Sequence, residues 1–341
     1  MARDQTIFSE LAVAIAINDG KLNSVLNVDT DSIKAYKREL KKRRLSNGGS
    51  DKTNALISAG TLIRTHLVKL GITSPIVAWT GTEKLAAGSS VAKDILITNA
   101  NLRVSVKENA DVYINASPEK IFKMIPAGLF GQSGRGDDWF ITTAKDELDS
   151  YFLACGGNLI KGCKNASDFY SLIERKQRKV FGKKVKALHE KKDPKVMTAY
   201  STFCKRVSDE SAKIFKDLLE TSLGHKKLKI LPEIFKFFFK LNSVEYILAG
   251  VEKNKPFAVK LISFDEWVKK FKLLNMEALP LSKGQPEVSL IFKIYDKIKK
   301  IDISFEDRVE IRWSHGKFCG NPEAKVYKTW EYSQLPWVSV V

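Results

Sequence analysis

Residues 90–118 read SVAKDILITNANLRVSVKENADVYINASP and carry the clearest structural pattern in the chain. The apolar run that follows Asp94 predicts one short strand, and Leu102–Lys107 predicts a second strand after an Asn-Ala-Asn turn. Side chains two residues apart share a face of a strand, so Ser105 and Lys107 should point the same way. The hairpin should therefore place Asp94 close to Ser105 and Lys107.

Helical patterns lie on both sides of this hairpin, and further strands follow it. Apolar spacing and capping residues predict helices at 6–18, 31–44, 52–70, 138–154, 166–223 (with a break at Asp193-Pro194) and 264–273. Short apolar runs predict strands at 76–79, 246–251, 258–262, 288–292 and 301–313, and residues 112–114 should continue the sheet of the hairpin. We therefore expect an α/β protein with a mixed sheet flanked by helices.

The change of pattern near residue 193 predicts two domains. With 341 residues, 44% of them hydrophobic, the chain is long and apolar enough to form sizeable cores. Residues 1–193 should hold the N-terminal helices, the mixed sheet and a basic helical region. Residues 194–341 should form a C-terminal α+β domain.

The chain is strongly basic. It has 57 Lys and Arg residues against 39 Asp and Glu residues, a net charge of +18. Such a charge attracts polyanions and speeds their association, so we expect nucleic acid to be the main partner. No apolar run is long enough to span a membrane and no signal-peptide pattern is present, so we expect a cytoplasmic protein without a membrane partner.

The basic residues are concentrated in segments such as 41–44 and 175–192. A glycine-rich loop at 128–136 carries Arg135, and basic and aromatic residues are interleaved at 312–330. Such mixtures suit contacts with phosphates, bases and sugars. The predicted nucleic-acid contacts are Lys41, Lys42, Arg43, Arg44, Arg135, Arg175, Arg178, Lys183, Lys184, Arg312, Lys317 and Lys325. Two alternatives stay open: the loop could be ordinary surface, and the aromatic residues of 312–330 could belong to a core.

The residues of the hairpin suit phosphodiester hydrolysis. That reaction needs a divalent metal ion that activates water and neutralises charge on the phosphorus centre. A carboxylate such as that of Asp94 is the hard oxygen ligand that Mg²⁺ prefers. A nearby lysine such as Lys107 can orient the attacking water and stabilise the developing negative charge.

The same hairpin resembles the active-site motif of the restriction-endonuclease-like nucleases, the PD-(D/E)XK superfamily. In that motif an acidic residue on one strand precedes an acidic-x-Lys triplet on the next. Asp94 matches the first acid, Lys107 matches the lysine, and Ser105 takes the place of the second acid, as in restriction enzymes with a Ser-x-Lys variant. The resemblance covers roughly residues 50–155.

The resemblance implies a nuclease with a restriction-endonuclease-like core in residues 1–193 and a DNA-recognition domain in residues 194–341. It implies a Mg²⁺-dependent endonuclease of type II restriction type that cuts double-stranded DNA, leaves 5′-phosphate ends and often works as a homodimer. It also implies that the backbone carbonyl of Val106, the middle residue of the triplet, binds the metal together with Asp94.

Because Ser105 replaces an acid, a second carboxylate must come from elsewhere. The first candidate is Glu83, which lies upstream of Asp94 before a Gly-Ser-Ser turn. Glu10 on the first helix is another, and Glu108 should face away from its neighbour Lys107. The catalytic prediction therefore comprises Asp94, Lys107, Ser105 and Glu83.

Other functions remain open at this point. The missing second acid would suit a nucleic-acid-binding protein without catalytic activity. A nuclease used in phage recombination, in repair or in RNA cleavage would carry a similar pattern. Asp94 and Lys107 could also be ordinary residues at strand ends.

Overall fold

The computed structural model describes residues 2–81, 94–108, 111–132, 139–222, 227–282 and 284–341. Its helices are α1 (Ala2–Ile17), α2 (Thr30–Arg44), α3 (Gly49–Lys69), α4 (Trp139–Ala154), α5 (Ala166–Leu172), α6 (Arg175–Glu190), α7 (Pro194–Ser222), α8 (Lys227–Phe238) and α9 (Phe264–Lys270). Its strands are β1 (Val77–Trp79), β2 (Ile95–Ile97), β3 (Leu102–Lys107), β4 (Val112–Ala116), β5 (Tyr246–Glu252), β6 (Lys255–Leu261), β7 (Phe271–Ser282), β8 (Pro286–Asp296), β9 (Ile301–Trp313), β10 (Pro322–Lys328) and β11 (Val338–Val340). The expected α/β class is therefore confirmed.

These elements form two units, each made of several chain segments. Unit 1 contains Met1–Asp111, Phe239–Lys270 and Trp330–Val341, and unit 2 contains Val112–Phe238 and Phe271–Thr329. The chain leaves unit 1 after Asp111 and returns to it twice. The predicted boundary near residue 193 falls inside unit 2, between α6 and α7, and does not separate the two units.

Unit 1 is built on a mixed sheet with the strand order β1-β2-β3-β5-β6-β11. Strand β3 is antiparallel to β2, with Val104 opposite Ile95, and parallel to β5, with Val104 opposite Ile247. Gly250 of β5 lies opposite Lys107 with a φ of +146°, and a Cβ there would come within 1.8 Å of the Lys107 carbonyl oxygen. Only glycine permits this close approach of the two strands.

The core of unit 1 lies between this sheet and helices α1 and α3. Helix α1 is apolar on most of its surface, and its residues Phe8, Leu11 and Val13 are fully buried. Gly60 of α3 lies so close to α1 that a Cβ would come within 2.6 Å of the Val13 carbonyl oxygen. Tight packing against α3 therefore fixes the position of α1 and, with it, that of Glu10.

Helix α2 completes this side of unit 1. It begins where the Asp29 side chain accepts a hydrogen bond of 2.7 Å from the backbone N–H of Ser32. Such a cap satisfies one of the free N–H groups at the start of a helix. This cap fixes the residue at which α2 begins. Arg43 lies near the other end of the helix and faces inward.

Unit 2 contains an antiparallel sheet with the strand order β4-β10-β9-β8-β7, together with helices α4 to α8. Strand β4 pairs with β10 in this sheet, with Ala116 opposite Ala324. The prediction that residues 112–114 continue the hairpin sheet is therefore wrong. The predicted helix at 264–273 is also too long, because it ends at Lys270 and β7 begins at Phe271.

An aromatic cluster forms part of the core of unit 2. Phe140 of α4 lies 4.4 Å from Trp313 of β9 between ring centroids, and Phe318 stacks on Tyr151 at 5.1 Å.

None of the helices in the described part of the chain combines the length and the apolar content that crossing a bilayer requires.

Candidate active site

Asp94 leads into β2 and is bound directly to β3. Its Oδ2 accepts a hydrogen bond of 2.7 Å from the backbone N–H of Val106 and one of 3.1 Å from the hydroxyl of Ser105. Ser105 itself is buried, with 1% of its surface exposed. The hairpin thus brings Asp94 to the Ser-x-Lys triplet, and two donors hold its carboxylate in one orientation.

Glu10 of α1 lies beside this pair. Its Oε2 accepts a hydrogen bond of 2.7 Å from the indole N–H of Trp79 on β1. Gly81 lies against the same oxygen, since a Cβ at that position would come within 2.1 Å of it. Burial, together with the nearby charge of Asp94, raises the pKa of Glu10 to about 7, and the Trp79 hydrogen bond and the charge of Lys107 only partly oppose this.

Lys107 ends β3 with its side chain exposed. Its charge acts on Glu10, as does the charge of Asp94, so the three groups share one electrostatic neighbourhood. Its exposed side chain gives solvent access to a positive charge beside two carboxylates. In the described residues the site therefore combines two neighbouring acids with one exposed lysine.

Glu108, which the sequence predicts to face away from Lys107, takes part in a second network. It accepts a hydrogen bond of 2.6 Å from Ser9 and two from the Arg43 guanidinium at 2.7 and 2.8 Å. Burial acts to raise the pKa of Glu108, but the hydrogen bonds from Arg43 and Ser9 outweigh it and hold that pKa below its usual range. Because Ser9 precedes Glu10, this network ties α1 to the end of β3.

Arg43 is the centre of that network. Only 4% of its surface is exposed, its Nε donates to Glu39 at 3.2 Å, and its guanidinium lies 4.4 Å from the centre of the Phe8 ring. The sequence predicts Arg43 to be a nucleic-acid contact, and the structure corrects this, because the guanidinium is buried and bound to Glu39 and Glu108. It holds α1, α2 and β3 together instead.

The carboxylate that the described residues place beside Asp94 is one that the sequence ranks lower. Glu83, the first candidate, lies outside the described residues. Glu10 is the acid that the structure places beside Asp94. The sequence does carry a signal for it, because Glu10 is the acidic residue at the start of the apolar run Leu11–Ile17. A carboxylate on a buried helix needs a polar partner, but the position of Glu10 in the sequence does not show which residue that partner is.

Among the residues that the structure describes, no three His, Cys, Asp or Glu side chains lie together in a way that could hold a metal ion. Within the described residues the site therefore offers two carboxylates. The backbone carbonyl of Val106, a substrate oxygen or water could supply further oxygen ligands.

The other predicted nucleic-acid contacts in unit 1 lie at the end of α2. Lys41 and Arg44 are exposed and line a shallow groove with Leu40 and Leu45. Lys42 is exposed as well, with its ammonium 3.5 Å from a carboxylate oxygen of Glu39.

In unit 2, the predicted contacts divide into exposed and internally bound residues. Arg175, Lys183 and Lys184 are exposed on α6, whereas Arg178 is partly buried with its guanidinium 5.7 Å from the centre of the Tyr170 ring. Arg135 lies outside the described residues. The exposed residues Arg175, Lys183 and Lys184 are thus better placed to contact a partner than the partly buried Arg178.

The C-terminal segment is largely structural. Arg312 donates to Glu323 at 2.9 Å, Lys325 lies 3.8 Å from the same carboxylate, and Lys317 is half-buried with its ammonium 4.4 Å from the centre of the Tyr200 ring. Trp313, Phe318 and Trp330 are buried. The alternative in which these aromatic residues belong to a core is therefore confirmed for these three.

The raised pKa of Glu10 predicts a pH dependence of stability. Glu10 stays protonated in the folded protein up to a pH of about 7, whereas the unfolded chain loses this proton near its ordinary value of 4.5. The stability should therefore fall as the pH rises through this window. In the presence of EDTA, Glu10→Gln should be more stable than the wild type at pH 8, by on the order of 3 kcal/mol at most, and similar to it at pH 4.

Urea unfolding at the two pH values measures this difference. The matched control is Glu220→Gln on α7, where the carboxylate is 65% exposed, and it should change stability by less than about 0.5 kcal/mol at either pH. An equal effect of Glu10→Gln at pH 4 and pH 8 would show that the carboxylate ionises normally in the folded protein.

Comparison with protein-family models, with curated proteins and with solved structures gives no match to this chain. The arrangement of Glu10, Asp94 and Lys107 in unit 1 is therefore the main ground for proposing a function.

Proposed function

We propose that the chain is a Mg²⁺-dependent endonuclease of the restriction-endonuclease-like type that hydrolyses phosphodiester bonds in double-stranded DNA. The observation that carries the proposal is the meeting of Asp94, Glu10 and Lys107 at β3 of a mixed sheet flanked by helices. Two acids and a lysine in this arrangement match the chemistry of metal-assisted phosphodiester hydrolysis. The resemblance of the hairpin to the PD-(D/E)XK motif supports the same reaction.

The donor atoms of the site suit Mg²⁺. This ion prefers oxygen ligands and is usually bound by one or two carboxylates together with substrate phosphates and water. The carboxylates of Asp94 and Glu10 would hold it, with the carbonyl of Val106 as a third oxygen. Burial and, after it, the charge of Asp94 raise the pKa of Glu10, and a bound divalent cation would favour the ionised carboxylate. When bound, the ion supplies an activated water and neutralises charge on the phosphate.

The residues of the chain keep these groups in place. Ser105 and the Val106 N–H orient the Asp94 carboxylate, and Trp79 orients that of Glu10. Such fixed donors lower the cost of reorganisation during reaction. Lys107 lies at the open end of β3, where its ammonium can bind a phosphate oxygen and stabilise charge that develops on it.

The net charge of +18 and the exposed cations of both units support DNA as the substrate. By resemblance to type II restriction enzymes, the active form would be a homodimer. The second candidate is a nucleic-acid-binding protein without catalytic activity, and the specific observation in its favour is the serine at position 105. A nuclease that acts in phage recombination, in repair or on RNA would use the same site on another substrate.

Incubation of the purified protein with supercoiled plasmid tests the proposal. We expect nicked or linear products with Mg²⁺ and none with EDTA. Lys107→Ala should lower the rate at least roughly a hundredfold, comparable to the loss of one preorganised electrostatic contact. Lys69→Ala removes an exposed charge at the end of α3 in the same unit and should leave the rate unchanged.

Cleavage that persists in EDTA, or that proceeds at the wild-type rate in Lys107→Ala, would overturn the mechanism. Binding of the plasmid without any cleavage would favour the non-catalytic candidate. A parallel assay with an RNA duplex separates the DNA-cutting and RNA-cutting alternatives.

A further inference from the structure

Helix α6 of unit 2 carries an unusual concentration of positive charge. Its sequence RKQRKVFGKKVKALHE contains seven Lys and Arg residues, and Glu190 is its single acidic residue. The helix packs on unit 2 through Phe181, Gly182 and Val185, which are buried. Most of the exposed residues of the helix are charged.

Four of the cations form one line along the exposed side of α6. Arg175, Lys179, Lys183 and Lys186 follow one another at spacings of four, four and three residues, and all are exposed. Residues at these spacings are neighbours on a helix surface, about 5–6 Å apart. At about 1.5 Å of rise per residue the line is roughly 16 Å long. We call these four residues the cationic stripe.

The cationic stripe is almost free of internal ion pairs. Lys186 lies 3.6 Å from Glu190, whereas no acidic side chain in the described part of the chain pairs with Arg175, Lys179 or Lys183. Elsewhere in unit 2 exposed lysines do have acidic partners, as Lys293 has in Glu277. Unneutralised charges at regular spacing raise the local positive potential and favour a polyanion over solvent counterions.

A loop of unit 2 packs beside the stripe. Gly182 packs against the loop that contains Lys317, since a Cβ at Gly182 would come within 2.9 Å of the Lys317 carbonyl oxygen. On the helix, position 182 is a neighbour of Lys179 and Lys186. The loop therefore lies beside the stripe. Its His315 is exposed, whereas the Lys317 ammonium lies over the Tyr200 ring.

We propose that the cationic stripe of α6 binds the phosphate backbone of duplex DNA without regard to its sequence. One strand of a duplex carries a charge for about every 3.4 Å of its axis, so roughly 16 Å spans several successive phosphates. Contacts with phosphates position a protein but carry no sequence information. Lysine suits this role, because its ammonium is a compact charge on a flexible stem and requires no fixed geometry. The choice of DNA as the polyanion rests on the proposed function.

The experiment measures binding of a fluorescent duplex in EDTA across a range of salt concentrations, so that it does not depend on catalysis. The variant is K179Q/K183Q/K186Q. The matched control is K272Q/K299Q/K300Q, which removes three exposed charges from β7 and the β8–β9 turn of the same unit. For the stripe variant we expect the slope of log affinity against log salt to fall by up to about 2.7, or 0.9 per lost phosphate contact.

At about 0.1 M salt this corresponds to a loss of affinity on the order of a hundredfold, equal for two duplexes of unrelated sequence. The control triple should keep the wild-type slope. An unchanged slope in the stripe variant, or a loss confined to one of the two sequences, would overturn the proposal. Anionic phosphatidylserine vesicles are the second probe, and loss of vesicle binding with duplex binding intact would assign the stripe to a lipid surface instead.

The plasmid assay keeps this proposal separate from the proposed nuclease activity. If the stripe variant loses duplex binding and the wild type cuts no plasmid, the stripe stands and the nuclease assignment falls. If the stripe variant binds like the wild type while the wild type cuts with Mg²⁺, the stripe falls and the nuclease assignment stands.

Discussion

Replacing Asp94 with Asn should lower Mg²⁺-dependent cleavage by more than roughly a thousandfold, because the change removes a charged metal ligand and with it the activation of water. The fold should survive. The side-chain oxygen of Asn can still accept the hydrogen bonds that Asp94 accepts from Ser105 and from the Val106 N–H. Asp94→Asn is thus a change of charge at nearly constant shape, and its effect on activity reports the role of that charge.

DNA binding separates this effect from a loss of structure. Asp94→Asn removes a negative charge close to where a phosphate would bind, so affinity for a duplex should stay the same or increase. The matched control is Asp31→Asn, because Asp31 is 91% exposed on α2 of the same unit. The control should cut plasmid at the wild-type rate. Cleavage by Asp94→Asn at that rate would place the active site elsewhere.

Replacing Arg43 with Ala should destabilise the protein by about 3–5 kcal/mol, the usual cost of removing one partner from a buried ion pair. The guanidinium is bound to Glu39 and Glu108, and 5% of its side chain is exposed. Without it, the buried Glu39 would be left without its guanidinium partner, and the partly buried Glu108 would lose two of its hydrogen bonds. Denaturant unfolding measures the change directly.

Lys42→Ala is the control for this prediction, since Lys42 is the next residue on α2 and contacts Glu39 from the exposed side. Because Lys42 is 56% exposed and screened by water, its removal should cost only about 0–1 kcal/mol. Arg43→Lys should recover only part of the loss, because an ammonium cannot bridge two carboxylates as a planar guanidinium does. If Arg43→Ala and Lys42→Ala unfold alike, Arg43 does not hold the helices to β3.

The loss in Arg43→Ala should also depend on pH. The pKa of Glu108 is held below its usual range in the folded protein, so its contribution is present above the unfolded value and is lost as the pH falls through the folded value. The stabilities of the wild type and of Arg43→Ala should therefore converge in acid.

The local part of the fold follows from the sequence. Apolar residues at helical spacing and a cap among Asp29, Thr30 and Asp31 predict the first three helices, and the Asn-Ala-Asn turn predicts the hairpin of β2 and β3. The structure shows that the cap is Asp29. Each of these features depends on neighbours in the chain. The contact of Asp94 with β3 is also local, because the hairpin turn enforces it.

The remaining features depend on contacts between distant residues. Strand β4 has an ordinary strand pattern, and nothing in its own residues says that it pairs with β10 rather than with the hairpin. The meeting of Glu10 with Asp94 requires the packing of α1 on the sheet. The charge of Arg43 is visible in the sequence, but its burial beside Glu108 is not. Composition therefore predicts how much positive charge the chain has, and only the fold shows which charges face the solvent.

The serine at position 105 is consistent with this arrangement. It is buried and donates its hydrogen bond to Asp94, so it supports a carboxylate instead of adding one. A glutamate there would place a further negative charge in a space that Asp94 and Glu10 already share. In the proposed nuclease, the helix rather than the strand would contribute the second acid.

The insertion of unit 2 into unit 1 has a consequence for the newly made protein. A ribosome releases Glu10, Asp94 and Lys107 early in synthesis, but β5, the parallel partner of β3, starts only at Tyr246. Until then the emerging chain exposes one edge of β3, which is a site of unwanted pairing with other chains. Closing the long connection is slow compared with local folding. The acids and the lysine thus reach their final surroundings only after β5 has been translated, which delays any activity of this site until then.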